Sequence, residues 1–339
     1  MSDELKKQLD EYYKTEEQEA FSLWAEPIWK IMETEFPKAE PLIDGLLYSG
    51  DQALIFGKAG SGKSYITQKL MLCLAMGKDF GFYNIRNPKR ILYVDGEMPP
   101  EAIQSRFRKM RKNLTEEEWQ RGHENLLYVS RFICPQDIPD AMLRTLDEER
   151  NMNQLIKTIE RNNIDVLVID NIFTCYAFED YSSPTEWIAH VNPLLNYCRK
   201  NNITCWIVDH ANKNQTLFGT MSKTVTLDLL IKLESERKEF DVLDDSDHDN
   251  EPEFSFKFEF EKARRLTSAQ QQPTEFELRN GDVLTREDPA RIQVALAKKY
   301  YEQGLSYREI QAKIMEEANY NCSHMKIQRW AKREEWERL

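Results

Sequence analysis

One short stretch limits more than any other what this chain can fold into. Residues 53–64 read Ala-Leu-Ile-Phe-Gly-Lys-Ala-Gly-Ser-Gly-Lys-Ser. The four apolar residues Ala53–Phe56 have the character of a buried strand. Gly57, Lys58, Ala59, Gly60, Ser61, Gly62, Lys63 and Ser64 then fit the pattern G-x-x-x-x-G-K-[ST] of a phosphate-binding loop. Glycines let the backbone curl so that its N–H groups face phosphate oxygens. A helix starting near Lys63 and running on through Tyr65 adds its positive N-terminal end. Lys63 is expected on the β- and γ-phosphates and the Ser64 hydroxyl on Mg2+. The expected ligand of residues 57–65 is therefore ATP with Mg2+.

The bulk numbers narrow the class. The chain has 339 residues, 41% of them hydrophobic, enough for a sizeable core. No run reaches the roughly 18 apolar residues of a membrane span. The start, Met-Ser-Asp-Glu-Leu-Lys-Lys, has no apolar signal region, so a cytoplasmic protein with no membrane partner is expected. Cysteines 73, 134, 175, 198, 205 and 322 are scattered without a C-x-x-C, which fits buried free thiols. A net charge of −12 argues against nucleic acid binding over the whole surface. Residues 290–339 are the exception, with ten lysines and arginines against seven acids.

Three regions are expected. Residues 1–38 form a charged helical arm, with Phe21, Leu23, Trp24, Ile28, Trp29 and Met32 either on its own core or on a neighbouring subunit. Residues 39–286 alternate strands and helices. Continuous apolar strands such as Arg90–Asp95, Ile164–Asp170 and Ile203–Asp209 between helices predict a mostly parallel α/β sheet covered on both faces. From about 228, Leu227–Leu233, Glu253–Phe260, Thr274–Leu278 and Asp282–Arg286 read as antiparallel strands, with Asn280-Gly281 a hairpin signal. The acid-dense run 241–253 reads as a loop. Residues 287–339 form a small all-α domain. Ser306-Tyr307-Arg308-Glu309 is a capping box, Asn319–Cys322 a turn, and Ser323 caps a last helix bearing Lys326, Arg329, Lys332 and Arg333. Helix, turn and basic helix make a helix-turn-helix candidate for contact with duplex DNA.

Three features give the phosphate loop a chemistry. Asp170, at the end of an apolar strand, is placed to hold the Mg2+ shell together with Ser64. Glu97, in Asp95-Gly96-Glu97, sits where a second strand ends and is a candidate base for the attacking water. Lys262-Ala263-Arg264-Arg265 could supply positive charge to a γ-phosphate of a neighbouring subunit, and equally reads as a basic turn.

The order of these pieces, over roughly residues 40–286, resembles the RecA-like ATPases, specifically ring-forming replicative helicases of the RepA and DnaB type. Leu-Tyr-Val-Asp-Gly-Glu-Met-Pro (92–99) is similar to the family's second-strand motif, whose glutamate maps to Glu97. Leu-Val-Ile-Asp-Asn (167–171) resembles its Walker B strand and gives Asp170. Ile-Val-Asp-His-Ala-Asn-Lys (207–213) resembles its sensor strand and makes His210 the γ-phosphate sensor. Phe-Glu-Lys-Ala-Arg (260–264) resembles the Lys-x-Arg that reaches an adjacent site, giving Lys262 and Arg264. Where the family has an Arg-Gly-Ser-like turn this chain has Leu217-Phe218-Gly219-Thr220, leaving Lys213 and Lys223 as the loop's candidate DNA contacts. The resemblance implies a homo-hexameric ring that hydrolyses ATP and moves single-stranded DNA through its centre in replication. The alternative keeps the ATPase without unwinding, as a switched DNA-binding or loading factor of a plasmid, phage, mobile element or defence system. A small-molecule kinase would need an arginine lid; Arg106, Arg108 and Arg111 are the candidates, but their place on an amphipathic helix favours a solvated face instead. A regulator with a decayed ATPase core is disfavoured by the presence of Lys63, Ser64, Glu97 and Asp170.

Overall fold

Strands that are apolar on both sides are stable only in the middle of a layered structure, and that is where they lie. The computed structural model of the chain describes residues 26–36, 38–133, 143–219, 222–235, 253–268, 270–279, 281–285, 289–318 and 323–332. Phe21, Leu23, Trp24, Cys134, the acidic run 241–252, Asn280, the turn 319–322 and Arg333 lie outside the described residues. The chain divides into two units, residues 1–39 and 40–339. In the first, helix α1 (Ile28–Glu33) has no buried residue, and Trp29 and Met32 are exposed.

The second unit opens with a small hairpin, β1 (Pro41–Ile43) and β2 (Leu47–Tyr48). A nine-stranded sheet follows, built from β3 (Gln52–Gly57), β4 (Ile91–Asp95), β5 (Leu126–Ser130), β6 (Val166–Asp170), β7 (Thr204–His210), β8 (Leu229–Ser235), β9 (Phe254–Ala263), β10 (Thr274–Arg279) and β11 (Asp282–Thr285). Their order in space is β11-β10-β9-β8-β3-β7-β6-β4-β5. From β8 to β5 all neighbours are parallel. The pairs β8–β9, β9–β10 and β10–β11 are antiparallel. The sheet is therefore the mostly parallel, helix-flanked α/β layer with antiparallel strands at one edge that the sequence leads one to expect.

Both faces are buried. Ala53, Ile55, Val166 and Val168 face one core with helix α2 (Lys63–Met76). Their alternates Leu54, Phe56, Leu167 and Ile169 face a second core with residues of later helices, such as Leu155, Ile159, Leu194 and Leu195. Helices α3 (Pro100–Lys112) and α4 (Glu116–Asn125) follow β4. The capping box Thr115–Glu118 that starts α4 is visible in the sequence, yet the sequence reading passes over this helix. Helix α5 (Glu149–Arg161) leads into β6. Short helices α6 (Ile172–Cys175) and α7 (Pro184–Glu186), a π-helical turn at Trp187–Val191 and α8 (Asn192–Lys200) lead into β7. Cys73, Cys175, Cys198 and Cys205 are buried thiols outside any disulfide.

One strand departs from expectation. The segment 227–233 reads as antiparallel, but β8 runs parallel to β3 and antiparallel only to β9. Helix α9 (Ser222–Thr226) precedes β8 on the far side of β3, so β8 closes the parallel block and β9 begins the antiparallel one. On β9 the phenylalanines do alternate inward, with Phe254, Phe256 and Phe258 buried. Helices α10 (Pro289–Glu302), α11 (Tyr307–Ala318) and α12 (His324–Lys332) surround a core of their own, in which Ala297, Ile310, Ile314, Ile327 and Trp330 meet. Among the described residues, no helix is long and apolar enough to cross a membrane.

Candidate functional site

The carboxyl ends of β3, β4, β6 and β7 converge on one cleft of about 240 Å³. The phosphate loop forms its floor. Gly62 caps α2 with φ at 85°, a left-handed conformation that favours glycine. A Cβ on Gly57 would stand 2.5 Å from the Leu233 carbonyl oxygen, so β8 also demands a glycine there. Lys63 is 5% exposed. Its ammonium donates to the Gly57 and Lys58 carbonyls at 2.9 and 2.7 Å. Burial lowers its pKa to about 8, against the opposing charges of Asp170, Asp209 and Glu97. Tyr65 packs in the core and also borders the cleft.

Ser64 and Asp170 come together as expected, with the hydroxyl donating to Asp170 Oδ1 at 3.0 Å. Burial, helped by the charge of Asp95, raises the Asp170 pKa to about 7; hydrogen bonds from Tyr93 and Ser64 oppose the rise. A hydroxyl beside a buried carboxylate is a hard oxygen set, which fits Mg2+. Within the loop, buried Ser61 Oγ has no hydrogen-bond partner among the described residues. It borders a second cavity of about 400 Å³ between residues 57–61 and 232–235. Both observations fit a loop built to receive a phosphorylated ligand.

Glu97 lies across the cleft, exposed. Its backbone N–H and that of Met98 donate to Asp95 Oδ1 at 2.9 and 2.8 Å. The Asn171 amide donates to Glu97 Oε2 and lies 3.4 Å from His210 Nε2. Asn171 therefore bridges the candidate base and the candidate sensor. Burial, with the Lys63 charge added, lowers the His210 pKa to about 4, so the imidazole is neutral near pH 7. Arg106 of α3 also lines the cleft and donates to Gln68 Oε1 at 3.2 Å.

Beside His210, a ring of helix α6 stacks with rings of two loops. Phe173 lies on Tyr181 with centroids 3.6 Å apart, and Phe218 lies 5.5 Å from Phe173. Both phenylalanines are partly exposed, at 37% and 36%. Lys213 is exposed on the same loop. Lys223 corrects an expectation. It is 1% exposed and paired with Asp209 at 3.0 Å, and it donates to the Phe218 carbonyl at 2.9 Å. Its ammonium also sits 3.5 Å over the Tyr181 ring. A charge consumed in this way is not offered to DNA, so Lys223 anchors the loop from inside.

Lys262 and Arg264 lie at the opposite end of the strands from the cleft, beside the start of β3. Arg264 binds Asp228 Oδ1 at 3.1 Å and the Val225 carbonyl at 2.8 Å. Lys262 donates to the Thr224 and Val225 carbonyls. Asp228 borders Gln52, five residues before Gly57, so this cluster stands about 16 Å from the phosphate loop of the same chain. Arg199 shares Asp228 at 2.7 Å. In the C-terminal helices Lys326 and Arg329 are exposed and Ile327 and Trp330 buried. Lys332 ends α12, and its side chain lies outside the description.

Sequence reasoning leaves out Asn171, Tyr93, Tyr128 and Gln68. A signal exists for the tyrosines: a phenol inside an otherwise apolar strand needs a polar partner.

A family model described as an AAA domain matches residues 16–216. That span includes the phosphate loop, Glu97, Asp170, Asn171 and His210, and stops before Lys262. The DNA repair protein RadA of Aquifex aeolicus is 23% identical over 211 residues, covering 61% of this chain and 39% of that protein. RadA of Rickettsia conorii is 28% identical over 201 residues, covering 58% of this chain and 37% of the relative. The chain thus spans about two fifths of the length of these curated relatives. Among solved structures, a KaiC-like protein of Pyrococcus horikoshii aligns with a TM-score of 0.48 at 15% identity, over 73% of this chain and 94% of the other.

Proposed function

The chain belongs to the AAA domain family, and on that premise we propose that it is an ATPase whose turnover is coupled to DNA. The observation that carries the reading is the bridge Glu97–Asn171–His210 across a cleft floored by Lys63 and Ser64. Lys63 would hold the β- and γ-phosphates, exchanging its two carbonyl partners for phosphate oxygens. Ser64 and Asp170 would hold Mg2+, which when bound neutralises charge between the phosphates. Glu97 would orient the attacking water and take its proton. A γ-phosphate arriving at or leaving neutral His210 alters its contact with Asn171. That change reaches the loop 211–219 directly, because His210 ends β7 where the loop begins.

Phe173 beside this loop and Phe218 within it are partly exposed aromatic rings, which suits stacking with bases of a single strand. That is what favours single-stranded DNA here over duplex. The curated relatives are DNA repair proteins by name, which agrees with a DNA partner. Arg264 and Lys262, at the far end of the strands, could meet only the cleft of another copy. This reading takes them to serve a homo-oligomer, specifically a hexameric ring acting as a replicative helicase, in which they would exchange their Asp228, Thr224 and Val225 partners for a neighbour's γ-phosphate. The exposed lysine and arginine of α12 support the second reading, a switched factor that also holds duplex DNA.

ATP turnover with and without single-stranded DNA tests the reading. Stimulation by the strand is expected, together with loss of turnover and retained nucleotide binding in Arg264→Ala. Mixing Arg264→Ala with Lys63→Ala should restore part of the activity, since each variant supplies what the other lacks at a shared interface. Unstimulated turnover by a monomer would refute the reading. A duplex-unwinding assay separates helicase from switched factor.

A further inference from the structure

Behind the cleft, two phenols are stacked where no role has been assigned to them. Tyr93 and Tyr128 are register partners on β4 and β5. Their rings lie 4.9 Å apart and 6° from parallel. Asp95 and Asp170 are register partners on β4 and β6, 1% and 2% exposed. Two carboxylates side by side in a low-dielectric layer repel each other. Each phenol donates to one of them: Tyr93 to Asp170 Oδ2 at 2.5 Å, Tyr128 to Asp95 Oδ2 at 2.5 Å.

The division of oxygens is the point. One oxygen of each carboxylate is held by a phenol, and the other faces the cleft machinery. On Asp170 the second oxygen accepts from Ser64. On Asp95 it accepts the backbone N–H groups of Glu97 and Met98. Gln68 steadies the arrangement from α2 by donating to the Tyr128 oxygen at 3.0 Å. A carboxylate held at one oxygen turns only by breaking that hydrogen bond, which constrains the direction of the other.

We propose that Tyr93 and Tyr128 are positioning residues with separate duties. Tyr93 sets the Asp170 carboxylate that faces the metal, and Tyr128, through Asp95, sets the segment carrying Glu97. The proposal rests on the reading of the cleft as a Mg2+–nucleotide site.

Phenylalanine removes only the hydroxyl and keeps ring and stack, so Tyr93→Phe and Tyr128→Phe in the full chain are the test. Three readouts are taken: the gain in affinity for fluorescent ADP on adding Mg2+, kcat at saturating Mg2+–ATP, and amide hydrogen exchange over residues 96–99. Tyr93→Phe should cut the Mg2+-dependent gain about tenfold and leave exchange at 96–99 unchanged. Tyr128→Phe should keep the Mg2+-dependent gain within about twofold, lower kcat about tenfold and speed exchange of the Glu97 and Met98 amides. Equal losses in every readout for both variants, or a wild-type result in either variant's own readout, would overturn the assignment. Glu97→Gln separates the two levels. If it turns over ATP like wild type, the reading of the cleft falls and the proposal with it. If it is inactive while the Phe variants behave as wild type, only the tyrosine assignment falls.

Discussion

His210 shows how the cleft selects a charge state. Burial takes water away from the imidazole, and the charge of buried Lys63 disfavours the cation further, which takes its pKa from 6.5 to about 4. Between those two values the unfolded chain binds a proton that the folded chain refuses. The His210 contribution therefore lowers stability as the solution acidifies from about 6.5 towards 4, and is constant above that window. A neutral ring can donate from one nitrogen and accept at the other, as a sensor between an amide and a phosphate needs. NMR titration of the His210 ring protons in the nucleotide-free chain should show no transition between pH 5 and 8. A midpoint near the ordinary histidine value would mean that the ring is solvated and that the bridge to Asn171 does not form. Asp170 is displaced the opposite way, to about 7, because burial and Asp95 act on an anion. One cleft thus holds a histidine kept neutral and a carboxylate eager for a cation.

Elements carry these residues with unequal legibility. Strands β3, β4, β6 and β7 can be read from their apolar runs, and each ends on the residue the sequence singles out or within two residues of it. The phosphate loop is legible because its glycines answer to backbone demands that no other residue meets. Neighbour order is not legible: nothing within 227–233 says that β8 pairs with β3 in parallel, since that depends on where the preceding loop returns. Lys223 shows the same gap at the start of the following element. A lysine after a loop looks available in a sequence, whereas here Asp209, Tyr181 and the Phe218 carbonyl enclose it. Removing one member of a buried pair strands the other charge, which costs about 3–5 kcal/mol. Lys223→Met should therefore destabilise the chain by about that amount in urea unfolding. Asp209→Asn combined with Lys223→Met should recover part of the loss, because no charge is then left without its partner. Lys213→Ala, on the exposed part of the same loop, should leave stability unchanged and weaken binding of single-stranded DNA. Equal stability of Lys223→Met and wild type would place that ammonium in solvent.

On the scale of the whole molecule, charge and packing divide the chain at about the same point. The protein carries −12 overall, while the stretch from 290 onward is net positive. The apolar residues of α10, α11 and α12 form a cluster that shares no residue with the two cores of the sheet. Phosphate contacts made by these helices would add to DNA affinity with a steep dependence on salt, whereas stacking on Phe173 and Phe218 would depend on it far less. The two modes can be separated by cutting the chain after residue 288. Because the sheet keeps both its cores, the shortened chain should unfold at nearly the same urea concentration and retain ATP turnover stimulated by single strands. Its binding to duplex DNA should fall to background, and the salt slope of what remains should flatten. If the shortened chain instead held duplex as tightly as the full one, the basic face of α12 would have no part in DNA binding. The helical trio would then be a packing module whose positive charge offsets the acidic body of the protein.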